Sequence, residues 1–508
     1  MNRRRHAPVG RAFPKTTSKT ARPHPRPATR RSGPVPGTDE ILFLPLGGTS
    51  RIGMNMALYG HAGKWLIVDA GVAFMGDEAP GIEAVMVDPT FIEERIDDVV
   101  GLVITHAHED HIGAIHHLWP RLSCPIHATP FAAHVIRERL KENRIAREVK
   151  VRTYEIGEEL VLGPFRVESI AMTHSVPEPV ALAIRTAAGT VLHTGDWKFD
   201  PDPLVGQPAD LGALKRLGDE GVLAMMCDST NAMVEGSTGS EADARGGLLK
   251  AFAGCKGAIA VTCFASNVAR MKAVAEAAAA NGRRVVLAGR SLLKMEKAGR
   301  TCGYLDGVPA FLSLDEASSM RRRELVLMCT GSQGEERAAL SRIARGEHRS
   351  LALHRGDTVI FSARAIPGNE KAVDQIRRHL EAEGIEVLYP ADARAAGATV
   401  HVSGHPARDD LTRMYGLVRP RFAVPVHGTL SHLEAHARLA RTCGVERALV
   451  PEDGDIIRLA GERTAVVGTI EARRLAYDGQ SLLPWDGTPT DGTQPEEHSA
   501  TQPVLLAA

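Results

Sequence analysis

Short apolar runs, each followed by glycine or polar residues, recur through the first part of the chain. They are WLIVDAG, VVGLVIT, FRVESIAM and TVLHTGD. Runs of about four to eight apolar residues are typical of buried strands. Two stretches nearby, IGAIHHLW and PFAAHVIRERLKEN, have a helical pattern instead. The first ordered part of the chain is therefore predicted to contain strands whose carboxyl ends carry polar side chains.

From about residue 211 the pattern changes to an alternation of strands and helices. The strand-like runs include GVLAMMCDSTN, AIAVTCFASN, RRVVLAGRS and DTVIFSARAIPGNE, and the helical ones include VARMKAVAEAAAANG. Such alternation is typical of an α/β domain with a parallel sheet. Near residue 395 the strand and loop pattern returns, in GATVHVSGH and RFAVPVHGT. The middle of the chain is therefore predicted to form a domain of its own.

Charge is distributed unevenly, although 61 Lys and Arg balance 61 Asp and Glu overall. Residues 1–38 contain ten Lys or Arg and no acidic residue, so residues 39–508 carry a net charge of −10. The first segment is also rich in proline and poor in large apolar side chains, which predicts a disordered basic arm. Such an arm attracts polyanions such as RNA or is a solvated linker, and charge alone favours neither. Residues 476–508 are predicted to be a disordered tail.

Composition argues against several classes of protein. No apolar run approaches the ~18 residues that span a bilayer, and no apolar stretch follows the basic N-terminus as it would in a secretory signal. The seven cysteines form no C-x-x-C pair, which argues against a disulfide scaffold and against a cysteine zinc finger. We therefore expect free thiols, a cytoplasmic location and no membrane partner.

The stretch THAHEDHIGA carries an unusual density of metal-binding residue types. His106 and His108 are two residues apart, so in an extended loop they project to the same side. Asp110 and His111 follow as the chain enters the next helical pattern, where they can face a second point. Imidazoles with a carboxylate suit zinc or manganese better than calcium. One turn cannot fill two coordination shells, so further ligands must come from elsewhere.

Further ligands are predicted at the ends of later strands. His174 closes FRVESIAMTH, Asp196 closes TVLHTGD, and His427 closes RFAVPVH. A carboxylate can bridge two metal ions, and paired ions are a known hydrolytic arrangement. A single histidine at a strand end is more often structural, but the four residues of the first turn favour ligation here. Other histidines lack such support and are predicted to lie in the core or on helix surfaces: His116, His117, His127 and His134.

These residues, in this order, resemble the metallo-β-lactamase superfamily, for which the HxHxDH spacing is a specific motif. The long segment between Asp196 and His427 resembles the β-CASP insertion. CDSTNA, EGSTGSE, FASNVAR, CTGSQGEERAALSRIARGEH, GDTVIFSARAIPGNE, HVSGH and PVHG are similar to the motifs of the ribonuclease J family. The resemblance covers residues 41–475. It implies an α/β protein with an αββα sandwich of two sheets between helices, interrupted by an inserted α/β domain.

The resemblance also implies domain bounds and roles for the site residues. The metallo-β-lactamase domain would occupy residues 39–210 and 371–475, and the β-CASP domain residues 211–370. Two divalent ions, zinc or manganese, would be bound, one by His106, His108 and His174 and the other by Asp110, His111 and His427, with Asp196 bridging. Asp69 would support the metal loop without being a ligand. Asp228 and His405 would transfer protons, with Asp228 as donor and His405 as acceptor. The segment His401, Val402, Ser403, Gly404 and His405 would grip substrate phosphate.

The function implied is hydrolysis of RNA phosphodiester bonds, in RNA maturation and mRNA decay. The enzyme would degrade single strands 5′ to 3′ from a 5′-monophosphate and would also cut internally. It would act as a homodimer or within an RNA-degradation complex. A small-molecule hydrolase is the weaker alternative, because a small substrate needs no inserted domain. A second alternative is a catalytically weakened RNA-binding subunit of such a complex.

The sequence departs from the family pattern in two places. GGTSRIGMN carries Arg51 where the family motif has a glutamate. A cation beside two dications predicts lower metal affinity, unless its side chain turns outward or meets phosphate. Too little chain follows residue 475 to build the small C-terminal domain that is associated with oligomerisation in the family.

Overall fold

The computed structural model describes residues 33–75, 79–366, 368–459 and 464–487. The strands in these ranges are β1 Ile41–Gly47, β2 Met56–His61, β3 Lys64–Val68, β4 Val72–Ala73, β5 Ala84–Val87, β6 Val99–Val103, β7 Ile126–Ala128, β8 Val151–Thr153, β9 Glu159–Leu162, β10 Phe165–Ala171, β11 Val180–Thr186, β12 Gly189–His193, β13 Ala224–Asp228, β14 Ile259–Thr262, β15 Arg284–Ala288, β16 Leu325–Cys329, β17 Thr358–Phe361, β18 Glu386–Leu388, β19 Phe422–Val426, β20 Arg447–Ala448, β21 Asp455–Leu459, β22 Ala465–Thr469, β23 Arg474–Tyr477 and β24 Leu482–Trp485. The α-helices are α1 Thr90–Glu93, α2 Glu109–Ile112, α3 Ile115–Leu122, α4 Pro130–Glu142, α5 Leu211–Glu220, α6 Glu241–Gly254, α7 Val268–Ala280, α8 Arg290–Thr301, α9 Leu314–Ser319, α10 Ala339–Ala344, α11 Glu370–Ala382, α12 Pro390–Ala395, α13 Arg408–Val418 and α14 Leu430–Thr442.

Two large sheets pack face to face. The first has the strand order β22-β21-β1-β2-β3-β6-β7-β8, and the second β20-β19-β13-β12-β11-β10-β9. A shared core contains Phe43 and Leu66 from the first sheet, and Leu182 and Phe422 from the second. Alternate residues such as Leu42 face the other way, towards α3 and α4. Both faces are buried, so these strands appear in the sequence as continuous apolar runs.

Helices cover the outer faces of both sheets. α3 and α4 pack on the first sheet, and α5, α13 and α14 on the second, where Leu214, Leu411 and Leu439 meet Leu192 and Met225. The arrangement is helix, sheet, sheet, helix, which confirms the predicted αββα sandwich. The carboxyl ends of β6, β12, β13 and β19 carry the residues that the sequence singles out.

A third sheet forms the inserted α/β domain. Its order is β15-β16-β14-β17-β18, and all four strand pairs are parallel. On β14, Ile259 and Val261 face α7 and α8, while Ala260 faces the core that includes α10 and α11. The parallel sheet predicted from the strand and helix alternation is therefore present.

The boundaries of this insertion differ from those predicted. The pattern predicts that β13 belongs to the inserted domain at 211–370, but β13 lies in the second large sheet, parallel to both β12 and β19. Conversely, α11 and β18 complete the inserted sheet beyond residue 370. A short buried strand has the same apolar pattern in either parallel sheet, so periodicity cannot assign it. The segment GATVHVSGH forms no strand.

Both predicted disordered ends are partly wrong. β23 and β24 form a hairpin, and β23 pairs with β5, so the described part of the predicted tail, up to residue 487, is folded. Leu475 and Ala476 are buried there, which explains why the hairpin docks. At the other end, the carbonyls of Pro36 and Gly37 accept from the backbone N–H groups of Gly63 and Ala62. Residues 1–32 and 488–508 lie outside the described residues.

No helix in the described ranges is both long and apolar enough to cross a membrane.

Candidate metal centre

The loop after β6 and the ends of β10 and β12 bring four predicted ligands together. His106 Nε2 lies 3.1 Å from His108 Nδ1, which lies 3.0 Å from His174 Nε2. Asp196 Oδ2 is 3.7 Å from His106 Nε2 and 3.8 Å from His174 Nε2. One nitrogen or oxygen atom from each of the four side chains lies within 4.8 Å of all the others.

A second group of four adjoins the first and shares Asp196 with it. His111 Nε2 lies 3.3 Å from Asp196 Oδ2 and 3.7 Å from Asp110 Oδ2. His427 Nε2 lies 3.1 Å from Asp110 Oδ2, and His427 Nδ1 lies 3.4 Å from Asp196 Oδ1. The Asp196 carboxylate is therefore shared by the two groups and lies between them.

The donor atoms suit divalent metal ions. Ligands about 2.1 Å from a tetrahedral ion lie roughly 3.4 Å from one another. The separations measured here, the two imidazole pairs included, range from 3.0 to 3.8 Å. A set of imidazole nitrogens and carboxylate oxygens is typical of zinc or manganese. The seven predicted ligands thus form two adjacent groups with metal-binding geometry.

Burial and neighbouring charge divide the histidines into two kinds. Burial, together with adjacent imidazoles, holds the pKa of His106 and His174 well below the usual value, and burial lowers that of His108 to about 4. These rings are neutral and keep a free lone pair. Burial also opposes protonation of His111 and His427, but Asp196 and its neighbours outweigh it and raise both pKa values. A metal ion would have to displace protons from the second group.

Asp69 holds the loop that follows β6 through three hydrogen bonds. The backbone N–H and hydroxyl of Thr105 both donate to its carboxylate at 2.8 Å, and His111 Nδ1–H donates at 2.7 Å. Asp69 and His427 have φ angles of 63° and 56°, in the left-handed backbone region that residues other than glycine rarely adopt. Such conformations persist only where the surroundings impose them. The contacts of Asp69 show how the ring of His111 is oriented.

Two residues that the sequence reasoning missed also contact the ligands. Asn55 Nδ2 lies 3.1 Å from the Asp110 carbonyl and 3.0 Å from His111 Nε2. Thr230 Oγ1 donates to Asp228 Oδ1 at 2.7 Å and lies 2.9 Å from His427 Nδ1. Both lie in quoted motifs, GGTSRIGMN and CDST, but no spacing rule marks a hydrogen-bonding residue.

Asp228 and His405 form an ion pair at the edge of the metal ligands. His405 Nδ1 lies 2.7 Å from Asp228 Oδ2 and 3.9 Å from Asp196 Oδ2. Asp228 is fully buried, while the His405 side chain is 22% exposed. Burial would raise the pKa of Asp228, but His405 and His427 hold it well below its usual value. Burial likewise opposes protonation of His405, yet Asp228 raises its pKa. Of the pair, only His405 is open to solvent.

The segment 401–405 lies against the metal ligands. His174 Nδ1–H donates to the Gly404 carbonyl at 2.6 Å, and a Cβ on Gly404 would come within 2.7 Å of the His174 ring. Glycine is therefore required there. Ser403 and His401 are half-buried, but Val402 is buried. The buried side chain of Val402 is therefore closed to a bound ligand, which leaves its backbone as the part that could make a contact.

Arg51 does not contact any of the seven ligands. Its Nη1 donates to Met75 Sδ at 3.2 Å, and the side chain is half-buried. The predicted non-ligand histidines also lie outside the metal-binding groups; the rings of His116 and His117, for example, contact each other with centroids 3.8 Å apart and planes tilted by 40°.

Comparison with known protein families gives three matches along the chain. Residues 52–222 match the metallo-beta-lactamase superfamily. Residues 256–380 match the ribonuclease J beta-CASP domain, and residues 393–451 match a Zn-dependent metallo-hydrolase RNA specificity domain. The match to the inserted domain begins after β13, in agreement with the sheet topology.

Curated relatives resemble the chain over most of its length. Ribonuclease J of Sinorhizobium meliloti is 43% identical over 445 residues, which cover 87% of this chain and 78% of that protein. Ribonuclease J of Mycolicibacterium smegmatis is 43% identical over 440 residues, which cover 85% and 77%. A crystal structure of an Enterococcus faecalis protein of unknown function matches with a TM-score of 0.58 at 15% identity. It covers 83% of this chain and all of that one, and it supports the fold alone.

Proposed function

The chain belongs to the ribonuclease J family, and we propose that it hydrolyses RNA phosphodiester bonds at the two groups of ligands that share Asp196. It would act 5′ to 3′ on strands with a 5′-monophosphate and would also cut internally. The observation that carries the proposal is the meeting of seven ligands from residues 106 to 427 beside the exposed edge of His405. The family and the fold confirm the prediction of a metal-dependent hydrolase.

We assign two divalent ions, zinc or manganese, to the two groups. One would be held by His106, His108 and His174, the other by Asp110, His111 and His427, and both by Asp196. Bound there, such ions would lower the pKa of a water molecule towards ~7 and would neutralise charge on the phosphate. The burial of Asp196, 3% exposed, keeps bulk water from competing for its oxygens.

His405 is proposed to move the proton of the reaction. Its Nδ1 is fixed by Asp228, so its Nε2 is the nitrogen left to meet a substrate oxygen. Asp228 has no exposed surface, and Thr230 and His405 occupy its two oxygens. We therefore propose that Asp228 orients His405 and favours its protonated form. This differs from the resemblance, which implies that Asp228 is the proton donor.

Substrate phosphate is proposed to lie against the segment 401–405. The Ser403 hydroxyl, the backbone N–H groups of residues 401–404 and the rings of His401 and His405 are the donors proposed there, because the His405 N–H already donates to Ser403 Oγ. The basic arm is proposed to tether RNA, because the remaining chain is net acidic and would otherwise repel it.

We also propose a homodimer, or membership of an RNA-degradation complex, in the cytoplasm. Light scattering on the purified protein tests for the homodimer.

End-labelled RNA tests the reaction and its polarity together. One sequence is prepared with a 5′-monophosphate, a 5′-triphosphate or a 5′-hydroxyl and is incubated with the metal-loaded protein. Rapid mononucleotide release from the first substrate alone is expected, and Asp196→Asn should abolish it together with bound metal. RNA binding without metal-dependent turnover would contradict the proposal and favour an RNA-binding subunit.

A further inference from the structure

A cluster of four buried charges lies behind the segment 401–405, outside the metal centre. Arg270 and Lys198 have no exposed surface, and Glu241 and Asp200 are 2% and 3% exposed. Arg270 Nη2 donates to both oxygens of Glu241 at 3.0 Å, and Lys198 Nζ lies 3.1 Å from Asp200 Oδ2. Burying four charges is costly unless they are paired, so their arrangement calls for an explanation.

Arg270 uses its remaining nitrogen outside the cluster. Its Nη1 donates to the carbonyl of Ser362 at 2.7 Å, to the Ser362 hydroxyl at 2.6 Å and to the Val400 carbonyl at 3.3 Å. The Ser362 hydroxyl in turn donates to the Val400 carbonyl at 2.6 Å. Arg270 lies in the first turn of α7, so a helix of the inserted domain holds the start of the segment that runs to His405.

The far end of the same segment is held by the other domain. Asn231 Nδ2 donates to Ser403 Oγ at 2.8 Å and to the His405 carbonyl at 3.1 Å. Thr238 Oγ1 donates to that same carbonyl at 2.7 Å. The segment therefore spans two anchors, and Arg270 is the charged residue in the anchor at Val400.

We propose that Arg270 is a positioning residue that sets the segment 401–405 against the metal centre and so couples the inserted domain to phosphate recognition. This rests on the proposed function for its catalytic consequence. The planar guanidinium satisfies Glu241 on one edge and Ser362 with Val400 on the other. A lysine ammonium carries its three donors on one nitrogen, so it lacks the planar set of separate nitrogens that reaches both sides. Arg270 touches no substrate itself.

The test compares three variants. Arg270→Lys keeps the positive charge and removes the planar guanidinium that contacts both sides. The pair Arg270→Met with Glu241→Met removes the buried ion pair while keeping similar volume, which protects folding if the single change fails. Arg283→Lys is the matched control, because Arg283 is a buried arginine that donates to the carbonyls of Gly257 and Cys255, away from the segment.

Two readouts separate positioning from stability. The first is amide hydrogen exchange across residues 400–405 in metal-loaded protein, which requires no RNA turnover. We expect exchange there to quicken at least tenfold in both Arg270 variants and to stay unchanged in the control. The second is the ratio of kcat/KM for 5′-monophosphate RNA to that for 5′-hydroxyl RNA, which should fall at least fivefold with bound metal retained.

Unchanged exchange in 400–405, or a ratio equal to that of wild type, would overturn the inference. So would an equal effect of Arg283→Lys on both readouts. A wild-type protein that cleaves no RNA would contradict the proposed function instead, and the exchange measurement would still decide whether Arg270 positions the segment.

Discussion

Exchanging Asp69 for asparagine should weaken metal binding without touching a ligand. Asp69 is 1% exposed and accepts from the Thr105 backbone, the Thr105 hydroxyl and His111 Nδ1. Asparagine has nearly the same shape and tolerates the φ of 63° found here. The change therefore replaces one acceptor oxygen by an N–H donor and leaves the packing intact.

The expected loss of metal affinity follows from the contacts of Oδ2, which accepts from the Thr105 hydroxyl and from His111 Nδ1–H. The Thr105 hydroxyl can rotate and accept from the new amide, but His111 Nδ1–H would face another donor. Either the clash leaves a buried donor unsatisfied, at about 1–3 kcal/mol, or the proton moves to Nε2. Nε2 is the atom 3.3 Å from Asp196 Oδ2, where a metal must bind. Loss of such a supporting hydrogen bond lowers metal affinity about 10–100-fold.

Competition with a chelator measures this affinity, and elemental analysis counts the ions that remain. Asp69→Asn should lose one ion more readily than wild type, and nuclease activity should recover in excess metal. Asp88→Asn is the matched control, because Asp88 also accepts from a threonine backbone and hydroxyl, those of Thr90, but lies outside the metal-binding groups. An Asp69→Asn affinity within twofold of wild type would refute the reasoning.

Three further outcomes are expected. His405→Ala should lower kcat on RNA about 10²–10⁴-fold at unchanged metal content, and simultaneous metal loss would argue against a proton-transfer role. Burial lowers the pKa of His436 to about 4. Between about pH 6.5 and 4, therefore, the imidazole takes up a proton in the unfolded chain but not in the folded one. The free energy of unfolding should decrease in this window by up to about 1.4 kcal/mol for each pH unit of acidification. His436→Gln should flatten the pH dependence of urea unfolding in that window, and an equal slope would contradict the burial argument. Deletion of residues 1–32, which hold all ten basic residues of the arm, should weaken RNA affinity and reduce its salt dependence, whereas an unchanged salt slope would make the arm a linker.

Most of the proposed metal ligands could be predicted from local sequence motifs. His106, His108, Asp110 and His111 are adjacent in sequence, so their spacing alone predicts one convergent turn. His427 is different, because it lies 231 residues beyond Asp196 and only resemblance to a family connects the two. Pattern analysis could place it at a strand end but could not determine which strands are neighbours.

What the sequence missed depends on long-range partners. Asn55, Thr230 and Arg270 have ordinary local contexts, and their contacts come from residues up to 197 positions away. The polar sequence around the hairpin β23–β24 is typical of a tail, because only a few of its side chains, such as Leu475, are apolar and buried. The apolar run of β13 is equally suited to either parallel sheet, so the pattern alone cannot assign it to the correct one.

The parallel pairing of β13 with β19 gives the enzyme an order of assembly during its synthesis. A ribosome adds about 5–20 residues per second, so roughly 10–50 seconds separate the emergence of Asp196 from that of His427. Throughout this interval the nascent chain holds six ligands and lacks the seventh. The proposed metal centre is therefore complete only after β19 and His427 have been made.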